Sequence, residues 1–126
     1  MRSFTAATLL LVALVLGHAD ARAQAIALVG AWDATAMEIG GKKKPVPPSM
    51  SMTVAFDAAN TMTLTMRSSG RETRTAGTYV VQGATIHVTM DGKTDRLRYE
   101  IAGNALTLSK IGTTEVLYLV RAPARP

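Results

Sequence analysis

The side chains able to do chemistry in this chain are few, and their spacing narrows what that chemistry could be. Met50, Met52, Met62, Met66 and Met90 all share the core parity of alternating segments. Thioethers are soft ligands that suit Cu(I), and Met50-x-Met52 has a suggestive spacing. A linear copper-binding segment keeps its methionines accessible, however, whereas these alternate with threonine. Methionine also fills irregular gaps in a core, so the pattern favours packing over metal, and no metal or other cofactor is expected. His87 is the only histidine beyond the first 25 residues, and there is no cysteine, so a zinc site lacks ligands. No serine stands in a nucleophile context beside that histidine, and no catalytic residue is assigned.

Most carboxylates fall in turns or on the outward parity. Glu38 differs, because it shares the parity of Trp32, Ala34 and Ala36. It is expected near the open mouth of the fold, where it could orient a polar head group. Lys42, Lys43 and Lys44, followed by Pro45-Val46-Pro47-Pro48, form a basic, extended connection without regular structure. At a pocket rim these lysines would attract an anionic group. Arg67, Arg71 and Arg74 surround a turn at Ser68–Gly70, without an assigned site.

These side chains need elements to position them, and the alternation supplies strands. Met50, Met52, Val54 and Phe56 alternate with Ser51, Thr53 and Ala55; the same period of two recurs through Met66, Met90, Ile101 and Leu108. Period two puts one set inward and one outward, and the threonines suit outward strand positions. Asp91-Gly92, Gly103-Asn104 and Gln82-Gly83 mark tight reversals. Eight strands are predicted, over 31–38, 50–57, 61–67, 71–82, 84–91, 93–102, 105–110 and 114–121. A twenty-residue echo, Tyr79/Val81/Gly83/Ile86/Val88 against Tyr99/Ile101/Gly103/Leu106/Leu108, fits successive hairpins of a meander. Closing such a sheet into a barrel removes its edges, and an eight-stranded barrel is either filled by side chains or holds one small ligand.

The first residues read as an export signal. Arg2 precedes the apolar run Leu9–Leu16, and Ala21-Arg22-Ala23 and Ala23-Gln24-Ala25 are small-x-small cleavage sites. The apolar run is too short to cross a bilayer. Residues 1–23 are therefore expected to be a signal peptide, cut after Ala23 or Ala25, with a domain over 26–122 and a periplasmic or extracellular destination. No transmembrane anchor is expected after processing. About 103 residues follow Ala23, and the net charge falls from +5 to about +4. That modest charge, with few aromatics, argues against a nucleic-acid partner. With no disulfide available, stability must come from a packed core. The last strand, Val116–Val120, is apolar on both parities, which calls for a cover such as residues 25–29 or a partner.

Gly30-Ala31-Trp32 at the head of the first strand, with Arg121 at the end of the last, resembles the G-x-W and terminal arginine of lipocalins and the small bacterial secreted lipocalin-like domains. The stretch Gly77–Lys110 is similar to them as well. The resemblance implies an up-and-down antiparallel barrel closed at one end by Gly30, Trp32 and Arg121, with ligand taken at the other. The chain is shorter than typical ligand-carrying lipocalins, and with only Ala122–Pro126 after the last strand their C-terminal helix is not expected. On this reading a small apolar or amphipathic ligand is held by Met50, Met52, Met62, Leu64, Tyr99 and Glu38, with Lys42–Lys44 at the rim, in a monomer that is not an enzyme. The alternative is a filled barrel acting through its surface, as an interaction or inhibitor protein.

Overall fold

Threonine alternating with aliphatic residues gives each segment one wet and one dry face, and wrapping eight such faces around a common interior dries them together. The computed structural model describes residues 26–123; the expected signal peptide and its cleavage sites lie outside them. Among the described residues the strands are β1 (Gly30–Ile39), β2 (Lys42–Pro45), β3 (Met50–Phe56), β4 (Thr61–Ser68), β5 (Arg71–Gln82), β6 (Thr85–Met90), β7 (Lys93–Ala102), β8 (Ala105–Lys110) and β9 (Val116–Arg121). All neighbours are antiparallel. β1 is followed in the sheet by β3 and then by each later strand in turn, and β9 closes on β1. The eight-stranded meander barrel expected from the alternation is thus present, with β2 as an addition.

β2 corrects the reading of the lysine–proline connection as irregular. Gly40 and Gly41 both take positive φ, 62° and 80°, which is the backbone of a two-residue hairpin turn. Lys42–Pro45 therefore folds back along Ala36–Ile39. Val46 N–H then donates to the Thr35 carbonyl at 2.9 Å before the chain crosses to β3.

A second correction concerns β1. Its register against β9 shifts between Ala34 and Ala36, leaving Thr35 as a bulge. One extra residue reverses the facing of everything beyond it. Leu117 packs against the core, so its partner Met37 faces inward, while Glu38 opposes Val116 on the outer face. The Glu38 carboxylate accepts a hydrogen bond from the Tyr118 hydroxyl at 3.1 Å. Lys43 Nζ lies 4.0 Å from the centre of the Tyr118 ring, which fastens the β1–β2 hairpin to the outside of β9.

The core fills the end of the barrel where β1 begins. Trp32, Phe56, Leu28, Ile86, Leu106 and Leu119 are its fully buried side chains. The Phe56 and Tyr79 rings meet edge to face, centroids 5.0 Å apart. Two buried tyrosines keep their hydroxyls satisfied at this end: Tyr79 donates to the Asp57 carbonyl, and Tyr99 to the Gly83 carbonyl at 3.1 Å. Burial raises both phenols above their ordinary value near 10, and the Asp57 carboxylate adds to this for Tyr79. An unfolded chain ionises these phenols first and so binds fewer protons than the native state. Stability should therefore be intact below pH ~10 and fall above it. Urea titrations at pH ~8, ~9.5 and ~11 should show that decline, and a Tyr79→Phe/Tyr99→Phe variant should show a shallower one. An equal decline in both would discard the assignment.

Candidate ligand-binding site

The two ends of the barrel are built differently. At the closed end a single helical turn over 26–28 tucks Leu28, fully buried, beneath Trp32. The Trp32 indole N–H donates to the Leu28 carbonyl at 2.9 Å, satisfying the buried indole. The Arg121 guanidinium lies 4.2 Å from the Trp32 ring centre. Its two terminal nitrogens donate to the Val29 carbonyl at 3.2 Å and the Ala27 carbonyl at 2.6 Å. Gly30 takes φ 131°, and a Cβ there would come within 2.8 Å of Arg121 Nη1, so glycine is what lets β1 begin under that guanidinium. Residues 26–29 thus cap the floor. They do not cover the outside of β9, as the apolar β9 sequence suggests; Val120 remains 41% exposed there.

At the open end the inward side chains shorten and a cleft remains. Its volume is about 310 Å3, and its apolar lining includes Met37, Ile39, Met52, Leu97, Leu108 and Leu117. The bulge at Thr35 supplies two of these, Met37 and Ile39. Lys110 and Glu115 stand at the edge of the cleft, and Lys110 Nζ lies 3.7 Å from Asp95. Lys42 and Lys44 pair with Ile39 and Met37, on the mouth-facing side of the hairpin, while Lys43 faces out over Tyr118.

Of the side chains singled out in the sequence, Met52 lines this cleft. Met50 sits beside it at the gap where β3 leaves β1 for β2. Leu64 packs against the core, and Met62 and Tyr99 are buried in the filled half, away from the opening. Glu38 borders the cleft, but its carboxylate is engaged by the Tyr118 hydroxyl. Leu97 and Leu108 carry inward parity in the sequence, whereas Leu117 lies in a strand apolar on both parities. What the sequence lacks is any mark of how far up the barrel the filling stops.

A larger concavity of about 510 Å3 lies on the outer face across β1, β3, β4 and β5. Four of its polar groups are paired with one another: Thr53 Oγ1 donates to Asp33 at 2.8 Å, and Arg67 pairs with Glu72 at 2.9 Å. Its ion pair is exposed, so a ligand there would compete with water and with these in-chain partners. His87 faces outward too, opposite Val80 and Arg96. Among the described residues no three His, Asp or Glu side chains converge as metal ligands. No helix among them is long and apolar enough to cross a membrane.

A meander barrel with a tryptophan–arginine floor and an open apolar mouth defines a class of protein, and the sequence falls within it. The chain belongs to the lipocalin-like domain family, whose model matches residues 28–108. The crystal structure of a lipocalin-like protein from Bacteroides uniformis ATCC 8492 has the same fold, with a TM-score of 0.65 over 75% of this chain and 98% of that one, at 15% identity. No curated protein matches the chain significantly in sequence.

Proposed function

We propose that this is an exported binding protein, not an enzyme, that takes a small apolar or amphipathic molecule into the mouth of its barrel. The observation that supports this is the contrast between the ends: one filled and sealed by Trp32 and Arg121, the other an apolar cleft of about 310 Å3. That volume lies at the lower end of small-molecule sites, which run from roughly 300 to 1,000 Å3. An apolar tail would lie against Met37, Met52 and Leu117, and Lys42, Lys44 and Lys110 would meet an anionic head group. Export follows from Arg2, the Leu9–Leu16 run and the alanine cleavage sites.

Native mass spectrometry of the protein recovered from the periplasm of its own cells tests both parts. The expected species lacks residues 1–23 or 1–25 and carries a co-purifying small molecule; a full-length or bare mass counts against the corresponding part. With the anionic amphiphile 1-anilinonaphthalene-8-sulfonate as probe, Leu117→Glu should weaken binding ~10-fold or more, because it puts a charge in the cleft. Val120→Glu, on the outer face of the same strand, should leave binding unchanged. Equal effects would move the site off the mouth.

A further inference from the structure

β5 is longer than its neighbour. Its residues Arg71 to Thr78 pair with the whole of β4, but only Thr78 to Gln82 pair with β6. Above Thr78 the β4–β5 hairpin projects past the barrel wall, and Arg71–Ala76 has no strand beside it on the β6 side among the described residues. The Tyr79 N–H donates to the Asn60 carbonyl, which fixes the phase of the ladder. Residues 71, 73, 75 and 77 direct their backbone groups to β4, and Glu72, Arg74 and Ala76 direct theirs into the open. Glu72, Arg74 and Ala76 are exposed.

An unpaired run of this length is a template for another strand, and folded chains ordinarily blunt such edges with lysines or proline. Another free edge, that of β2, is blunted in that way, since its sequence is Lys-Lys-Lys-Pro. The β5 edge carries no such guard. Its charges alternate in sign instead.

The geometry points to self-association: two copies of this chain join antiparallel through the β5 edges, about a twofold axis at Thr73. In that register Glu72 lies opposite the second copy's Arg74, and Arg74 opposite its Glu72. Both are hydrogen-bonded pairs that use the free backbone groups, and both place opposite charges across the strands, which favours the pairing. Centring on Glu72 sets glutamate against glutamate, and centring on Arg74 sets arginine against arginine. Centring on Thr75 requires Thr78, which β6 already holds. Thr73 is thus the one centre that satisfies both hydrogen bonds and charges. Arg67, 2.9 Å from Glu72 in its own chain, extends the alternation on the same face. The occupant that matches the edge is therefore a second copy, against the monomer expected from sequence.

The test is sedimentation equilibrium of the processed chain up to ~1 mM, where even weak pairs half form. Wild type should reach twice the monomer mass. Arg74→Glu, which sets Glu72 against a glutamate on both sides, should stay monomeric while retaining its circular dichroism. The triple reversal Arg67→Glu/Glu72→Arg/Arg74→Glu keeps every pairing in mirror image and should restore the dimer. The chain has no cysteine, so a Thr73→Cys variant gives a clean positional readout. In a non-hydrogen-bonded pair the two Cβ atoms approach ~4.5–5.5 Å, and oxidation should yield a covalent dimer that Thr75→Cys does not. A wild type monomeric at ~1 mM overturns the proposal and leaves the edge to a foreign strand. A dimer indifferent to Arg74→Glu, or one that Thr75→Cys cross-links equally well, overturns it too.

Discussion

Trp32→Ala should cost about 3–5 kcal/mol, the range for emptying a large aromatic site in a core. Three losses combine. The indole is fully buried at the floor, and Leu28 below it cannot rise to fill the space, because its turn is held by Arg121 through the Ala27 and Val29 carbonyls. The Leu28 carbonyl loses its donor, and an unsatisfied buried acceptor costs about 1–3 kcal/mol by itself. Arg121 loses the ring face on which its guanidinium rests. In a domain near one hundred residues each kcal/mol moves Tm by roughly 4–8 °C, so a fall on the order of 20 °C is expected. Urea denaturation followed by far-ultraviolet circular dichroism measures it, since the variant has no tryptophan to report. A cost below ~1 kcal/mol would mean that the floor is not a core site. Arg121→Lys should lose part of the same energy, because a single ammonium cannot hold two carbonyls and a ring face in one fixed geometry.

That floor is legible in the sequence alone, because it rests on two residue types at the two ends of the barrel sequence, each with a distinctive chemistry. The eight barrel strands and most of their inward parity were legible as well, since the period of two returns after each turn between Met50 and Leu108. The mouth was less so. A bulge has no compositional mark: Ala34-Thr35-Ala36 reads as ordinary strand, yet the extra residue at Thr35 turns Met37 and Ile39 in and Glu38 out. The hairpin that adds β2 was announced by Gly40-Gly41, but the prolines after it read more loudly as irregular chain. Leu28 could be seen as needing burial, but its place under Trp32 depends on a turn fixed by Arg121, ninety residues away in sequence. Local patterns survive translation into structure here, and what escapes them is set by register and by pairing across the closure.

The upper wall of the barrel has its own decisive position, Gly77, and Gly77→Ala should cost about 3 kcal/mol, at the high end for overpacking. Gly77 is where β5 parts from β6: Thr78 is the last residue paired there, with Thr89. A Cβ on Gly77 would run into the Thr89 carbonyl oxygen and stand 2.6 Å from Met90 Cγ. Met90 could swing aside, since a methionine side chain is flexible. The carbonyl belongs to a ladder and could move only by unzipping the end of β6. Gly70 gives the contrast. At the tip of the β4–β5 hairpin it has φ +79° and nothing within 4 Å of an added Cβ, so Gly70→Ala meets only backbone strain, about 1 kcal/mol. Chemical denaturation of the two variants should therefore rank Gly77→Ala well below Gly70→Ala in stability. Adding Met90→Ala should recover little of the Gly77→Ala loss, because the backbone oxygen stays where it is. If Met90→Ala restores the variant, the obstruction is the side chain and the close approach of β6 to β5 is not what requires glycine.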